Sequence, residues 1–229
     1  MNTDKNIARM VGILFLVSMA VSLIYTNFFS ALLDAPIASI YSNRTQVVVG
    51  ALFELTNCIA VIGIAVTLFA VLKRQNESLA LCYVGFRAIE CAVLIVGVIS
   101  GLLLITLSKE CIKAGVPDAS YFQATGALIL AGKNMALQMG ILISGLGGLI
   151  LTSLLYQSKL IPRVISGWGL IGYVLVVASA VLDIFDVIDT IHGVGMLMYV
   201  PGGLFETLIF PIWLIVKGFK SSANVSGAA

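Results

Sequence analysis

Six long apolar runs, each carrying at most two charges, constrain this chain more than any other feature. A helix rises 1.5 Å per residue, so about 20 consecutive apolar residues cross the ~30 Å hydrocarbon core of a bilayer. Met10–Leu33, Met135–Tyr156 and Val164–Leu182 contain no charged residue. Val47–Leu72 contains only Glu54, Leu79–Leu107 only Arg87 and Glu90, and Gly193–Val216 only Glu206. In lipid every backbone N–H and C=O must be satisfied within the protein, which leaves helices or closed barrels. The runs are continuous and longer than the ten-residue alternating strands of a barrel, so helices are expected.

The expected fold class is therefore all-α, a polytopic membrane helix bundle of six transmembrane helices. They fall at about 10–33, 47–72, 79–107, 135–156, 164–182 and 193–216, in a single transmembrane helical domain over residues 1–220. Residues 221–229 are expected to form a disordered C-terminal tail. Composition agrees: 60% of residues are hydrophobic and 10% charged, against about 25% charged in a soluble domain. The net charge of +2 and the lack of a basic run give no reason to expect nucleic acid as a partner. Lys5 and Arg9 before an apolar run look like the start of a signal peptide. The run is longer than the 7–15 residues of such a segment and lacks a small-residue cleavage site, so a retained first helix is expected.

Lys and Arg favour cytoplasmic loops. With the N-terminus inside, the inner side holds Lys5, Arg9, Lys73, Arg74, Lys159, Arg163, Lys217 and Lys220, and the outer side Arg44, Lys109, Lys113 and Lys133. This asymmetry favours N-in and C-in. The longest connection, Ser108–Asn134, is expected to be a loop whose second half, Tyr121–Leu130, forms a short interfacial helix or an extension of the fourth helix. Gln138, with Lys133 and Asn134 above it, is expected at the interface. Gly140, Gly145, Gly147 and Gly148 in the fourth helix, with Gly167, Gly169 and Gly172 in the fifth, predict close packing of these two helices. Pro201-Gly202-Gly203 and Pro211 predict a kink or local unwinding in the sixth.

Ionisable groups inside a bilayer are costly and usually face the protein interior. Arg87 and Glu90 are three residues apart on one helix and can touch. Glu54 and Asn57 share that spacing, and Glu206 falls near the middle of its run. Glu54, Asn57, Arg87, Glu90 and Glu206 are thus the candidate ligand-binding residues, expected to meet between the second, third and sixth helices. Ser18, Ser22 and Tyr25 of the first helix can either reach them or bond their own backbone. Three carboxylates and one guanidinium sum to −2, a charge the bilayer tolerates only with protonation or a bound cation.

No other motif carries chemistry. Cys58, Cys82, Cys91 and Cys111 form no CxxC pair, so neither a structural disulfide nor a zinc site is expected. Asp183, Asp186 and Asp189 precede His192, but spacing of three cannot hold all four on one helical face, so an exposed acidic loop is expected rather than a metal site. No cofactor is expected. The absence of a nucleophile–base pair, a phosphate-binding glycine loop or an HExxH motif weighs against an enzyme, and no catalytic residue is assigned.

The stretch LFAVLKRQNESLALCYVGFRAIE (Leu68–Glu90) resembles a bacterial membrane-protein family catalogued as domain of unknown function 4386. So do the segments around Leu160-Ile161-Pro162-Arg163 and ETLIFPIWLIVKGF (Glu206–Phe219). The resemblance implies a bacterial cytoplasmic membrane and about this number of helices, with membrane lipids as the surrounding partners. It brings no activity and no catalytic residues. Three readings are open: binding or transport of a small or lipid-like ligand at the Glu/Arg cluster, a structural or regulatory membrane protein without a ligand, and an intramembrane enzyme.

Overall fold

The structure is a computed structural model that describes residues 2–33, 36–115, 119–190 and 193–220. Its helices are α1 (Asn2–Leu33), a short α2 (Ile37–Ile40), α3 (Arg44–Leu72), α4 (Glu77–Ala114), α5 (Ala119–Ser158), α6 (Arg163–Ile184), α7 (Gly193–Leu204) and α8 (Phe210–Val216). A π-helical turn, Phe205–Ile209, joins the last two into one span. Among the described residues there is no strand, and six helices are long and apolar enough to cross a membrane. The protein is a polytopic helical membrane protein, as the apolar runs require.

The expected long loop is largely helix. α4 runs to Ala114 and α5 begins at Ala119, so that Tyr121–Leu130 extends the fourth span. Hydropathy falls here because Lys109, Glu110, Lys113 and Lys133 enter, but Lys and Glu are good helix formers and do not break a helix. Lys113 and Glu110 pair at 2.7 Å one turn apart. Asn76 starts α4 by accepting the Leu79 amide on its side chain at 3.0 Å, and Gly115 ends it at φ 70°.

The spans form a ring. α1 packs on α3, α3 on α4, α4 on α5, α5 on α6 and α6 on α7, and α8 closes the ring against α1. The interior is filled by Phe15, Leu68, Tyr83, Leu151, Tyr173, Phe205 and Phe210, all buried. Apolar side chains also cover the outside, as with Ile59 at 73% and Ile171 at 65% exposure. An apolar core with an equally apolar exterior is the pattern of a protein dissolved in lipid.

Glycines set the closest approaches. Gly145 and Gly148 of α5 face Val176, Val177 and Tyr173 of α6, which bears out the expected packing of the fourth and fifth spans. Gly169 and Gly172 turn the other way, towards Phe205 and the backbone of Gly202 in the sixth span. At one face of the ring Arg74 pairs with Asp4 at 3.1 Å, and the Lys220 amide donates to the Leu160 carbonyl at 2.8 Å. The chain start, the α3–α4 and α5–α6 turns and the residues after α8 therefore share that face.

Candidate functional site

Proline decides how Glu206 is presented. Pro201 and Pro211 lack the N–H that an α-helix would use to reach Leu197 and Thr207. Between them the helix widens, and the Phe210 amide reaches back five residues to the Phe205 carbonyl. The expected local unwinding is thus a π-turn with Glu206 in it. Such single π-turns recur at functional sites. The Trp168 indole N–H donates to the Pro201 carbonyl at 3.0 Å and ties this span to α6.

Arg87 of α4 lies opposite. Its Nη1 donates to Glu90 Oε2 at 2.9 Å and to Ser144 Oγ of α5 at 3.0 Å, and its Nη2 donates to Glu206 Oε1. Tyr173 of α6 donates its hydroxyl to Glu206 Oε2 at 2.8 Å. The guanidinium also sits 5.6 Å from the centre of the Tyr83 ring, a cation–π contact one helical turn away. Four spans therefore converge on the Arg87–Glu206 pair. Arg87 is buried, whereas the Glu206 side chain keeps 24% exposure. Among the described residues, two polar atoms of this cluster, Arg87 Nε and the Tyr83 hydroxyl, have no hydrogen-bond partner.

The five candidate residues do not all meet. Arg87, Glu90 and Glu206 do. Glu54 of α3 turns instead to a second group, with Tyr25 of α1, which hydrogen-bonds it, and Lys133 of α5. Asn57 accepts a hydrogen bond from Ser18 of α1. The expectation of one cluster thus resolves into two, because α1 and α5 supply partners for the polar groups of α3. Ser18 and Tyr25 reach them, the first of the two alternatives open for α1.

Lys133 is the largest correction. Expected at the interface, it is 6% exposed and lines the same cavity as Glu54. The continuous α5 carries it inside the ring, and its ammonium lies 5.6 Å from the centre of the Tyr25 ring. Formal charges then divide as zero for Glu54 with Lys133 and −1 for Arg87 with Glu90 and Glu206. Between the two groups Cys58 and Cys91 face each other across α3 and α4. The Cys91 thiol points at the Cys58 carbonyl at 3.5 Å, and the Cys58 thiol at the Cys91 carbonyl at 4.0 Å. Both are free thiols.

Sequence reasoning missed Ser144, Tyr83 and Tyr173. Tyr83 was findable, being four residues before Arg87 on one helix. Tyr173 and Ser144 carry no local signal, since their role comes from the ring closure. Gln138 donates to Asp183 at 2.8 Å, and the other oxygen of Asp183 accepts the Thr190 amide at 3.0 Å. Asp183 is therefore a tie between α5, α6 and the segment after it, while Asp186 and Asp189 are exposed. His192 lies outside the described residues. Among the described residues no three His, Cys, Asp or Glu converge as a metal site would require.

A closed ring of six apolar spans with charged groups inside it defines a multi-pass helical membrane protein carrying a buried ionic network. The chain belongs to the family described as Domain of unknown function (DUF4386), whose model matches residues 10–218. Neither a curated protein nor a solved structure matches the chain.

Proposed function

We propose that this membrane protein binds a small, lipid-like ligand with a cationic head at the Arg87–Glu90–Glu206 network. One observation carries the reading: the network has a formal charge of −1 inside the bilayer, and Glu206 is its accessible carboxylate. An uncompensated charge in a low-dielectric interior is costly, so a proton or a cation must balance it. Glu206 accepts from Arg87 and Tyr173, yet each carboxylate oxygen has a second lone pair for an ammonium N–H. Ion binding at a mid-membrane glutamate beside a broken helix is a recurrent way for membrane proteins to recognise or move solutes. We place both termini on the cytoplasmic side of a bacterial cytoplasmic membrane. Support comes from the excess of Lys and Arg on the face that the chain start shares with the α3–α4 and α5–α6 turns.

The test is equilibrium binding of n-octylammonium, with n-octanol as the uncharged control, to the protein in lipid nanodiscs. Saturable binding of the amine but not of the alcohol is expected, weakened at least tenfold in Glu206→Gln. Equal affinity in wild type and Glu206→Gln would overturn the reading. A structural role without ligand is favoured by a separate observation, the convergence of four spans on the Arg87–Glu206 pair. It expects Glu206→Gln to lower thermal stability while wild type and variant alike fail to bind the amine saturably.

A further inference from the structure

The basic end of the bundle carries a feature independent of the cation site proposed above. Lys159 and Arg163 lie in the turn between α5 and α6, and Lys217 and Lys220 follow α8. The Lys220 amide donates to the Leu160 carbonyl at 2.8 Å, which brings these two stretches of chain together. All four residues are exposed. Among the described residues none of the four enters an ion pair. Residues 157–182 and 207–220 contain no Asp or Glu to neutralise them. Two other exposed cations are paired, Arg74 with Asp4 and Lys113 with Glu110.

The turn is held in place. Leu160 and Ile161 are buried in the core, and the Arg163 guanidinium lies 5.4 Å from the centre of the Tyr156 ring. Lys159 has φ 55°, so a lysine takes the left-handed position after α5 where glycine would sit without strain. Arg163 opens α6, whose first amides have no side-chain cap, so their positive end adds to the four cations. From Arg163 an apolar stripe runs along α6: Val164, Trp168 and Ile171 recur at i, i+4 and i+7 and are all exposed, Val164 at 84%. Unpaired cations at the head of a lipid-facing stripe match the two parts of a phospholipid, an anionic headgroup and an acyl chain. A soluble anion would make no use of the stripe.

We propose that the α5–α6 turn and the end of α8 form a binding site for an anionic phospholipid. Its phosphate is held by Lys159, Arg163 and Lys220, with Lys217 adding to the positive field, and an acyl chain lies along Val164, Trp168 and Ile171. A zwitterionic lipid brings its own ammonium to the same place, where the four cations repel it.

Trp168 lies in the stripe and reports on the lipid beside it. Fluorescence quenching is measured on the full chain in vesicles of phosphatidylcholine mixed with brominated phosphatidylglycerol or, as the zwitterionic control, brominated phosphatidylethanolamine. Trp213→Phe leaves Trp168 as the sole tryptophan, and the wild type is run beside it. Both are expected to favour phosphatidylglycerol over phosphatidylethanolamine by about fivefold or more. The preference is expected to fall to near one in Lys159→Gln, Arg163→Gln. It is expected to persist in the charge-conserving Lys159→Arg, Arg163→Lys, which shows that the exchange of side chains does not itself disturb the fold. Lys5→Gln, Lys73→Gln removes the same charge elsewhere on this face and is expected to leave the preference intact. Equal quenching by the two lipids in wild type would overturn the proposal. So would an equal loss in the two glutamine pairs, which would mean a diffuse field rather than a site. A preference abolished by millimolar inorganic phosphate would give the cations to a soluble anion and overturn it as well.

Discussion

At the scale of single residues, Arg87 matters most. It answers two carboxylates, a serine hydroxyl and a tyrosine ring, so removing it strands charge inside the protein. Arg87→Met is expected to destabilise the protein by about 3–5 kcal/mol, the usual order for a buried ion pair that loses one partner. Adding Glu90→Gln and Glu206→Gln should restore part of that loss, measured as thermal unfolding in nanodiscs; a triple variant no better than Arg87→Met would refute the pairing. Arg87 and Glu90 were legible as partners because three residues on a helix place them together. Glu206 was legible as a buried charge without its position in a π-turn. The surroundings of Glu54 were not legible, because Lys133, which lines the same cavity, lies in a stretch whose hydropathy reads as a loop. A lysine beside Asn134 at the edge of an apolar run reads as an interfacial charge and gives no sign that its helix carries it into the ring.

At the scale of elements, the six apolar runs named the spans, and what they missed was extent and facing. Hydropathy marks where a helix contacts lipid, not where it ends, so α4 and α5 overran their expected limits at the Ser108–Asn134 stretch. Glycine content told that backbones approach, and the structure tells which ones. A Cβ at Gly172 would lie 2.7 Å from the Gly202 amide nitrogen, a backbone atom that no rotamer change can move. Gly172→Ala is expected to cost about 1–3 kcal/mol through forced separation of α6 and α7. Gly85→Ala, with nothing within 4 Å, is expected to be neutral or mildly stabilising. Equal melting temperatures for these two variants would contradict the packing. The α3–α4 contact has a chemical readout. Cys58 and Cys91 each point a thiol at the other's backbone carbonyl, and a membrane-permeant oxidant is expected to join them. Mass spectrometry under non-reducing conditions should find the Cys58–Cys91 peptide, and separate alkylation of both thiols after oxidation would place the two helices differently.

At the scale of the whole molecule, a ring of six spans buries charge among apolar walls, and the proposed cation site accounts for the surplus carboxylate. Well-packed hydrophobic residues would hold such a ring at no desolvation cost, whereas a network with a surplus carboxylate needs a counter-charge. The even number of spans puts both ends of the bundle on one face, and the positive residues gather there. A maleimide that cannot cross membranes should therefore fail to label a cysteine introduced at either end in intact cells, and labelling from outside would reverse the proposed orientation. The surplus carboxylate itself is open to direct chemistry. A hydrophobic carbodiimide reacts with protonated carboxyl groups reachable from lipid, and Glu206 is the most exposed carboxylate of its network. The decisive measurement is the mapping of carbodiimide adducts by mass spectrometry, on protein in nanodiscs with and without n-octylammonium. Modification at Glu206 that the amine suppresses is expected; modification of Glu54 or Glu90 in its place, or modification of Glu206 that the amine leaves unchanged, would contradict a cation site at this network.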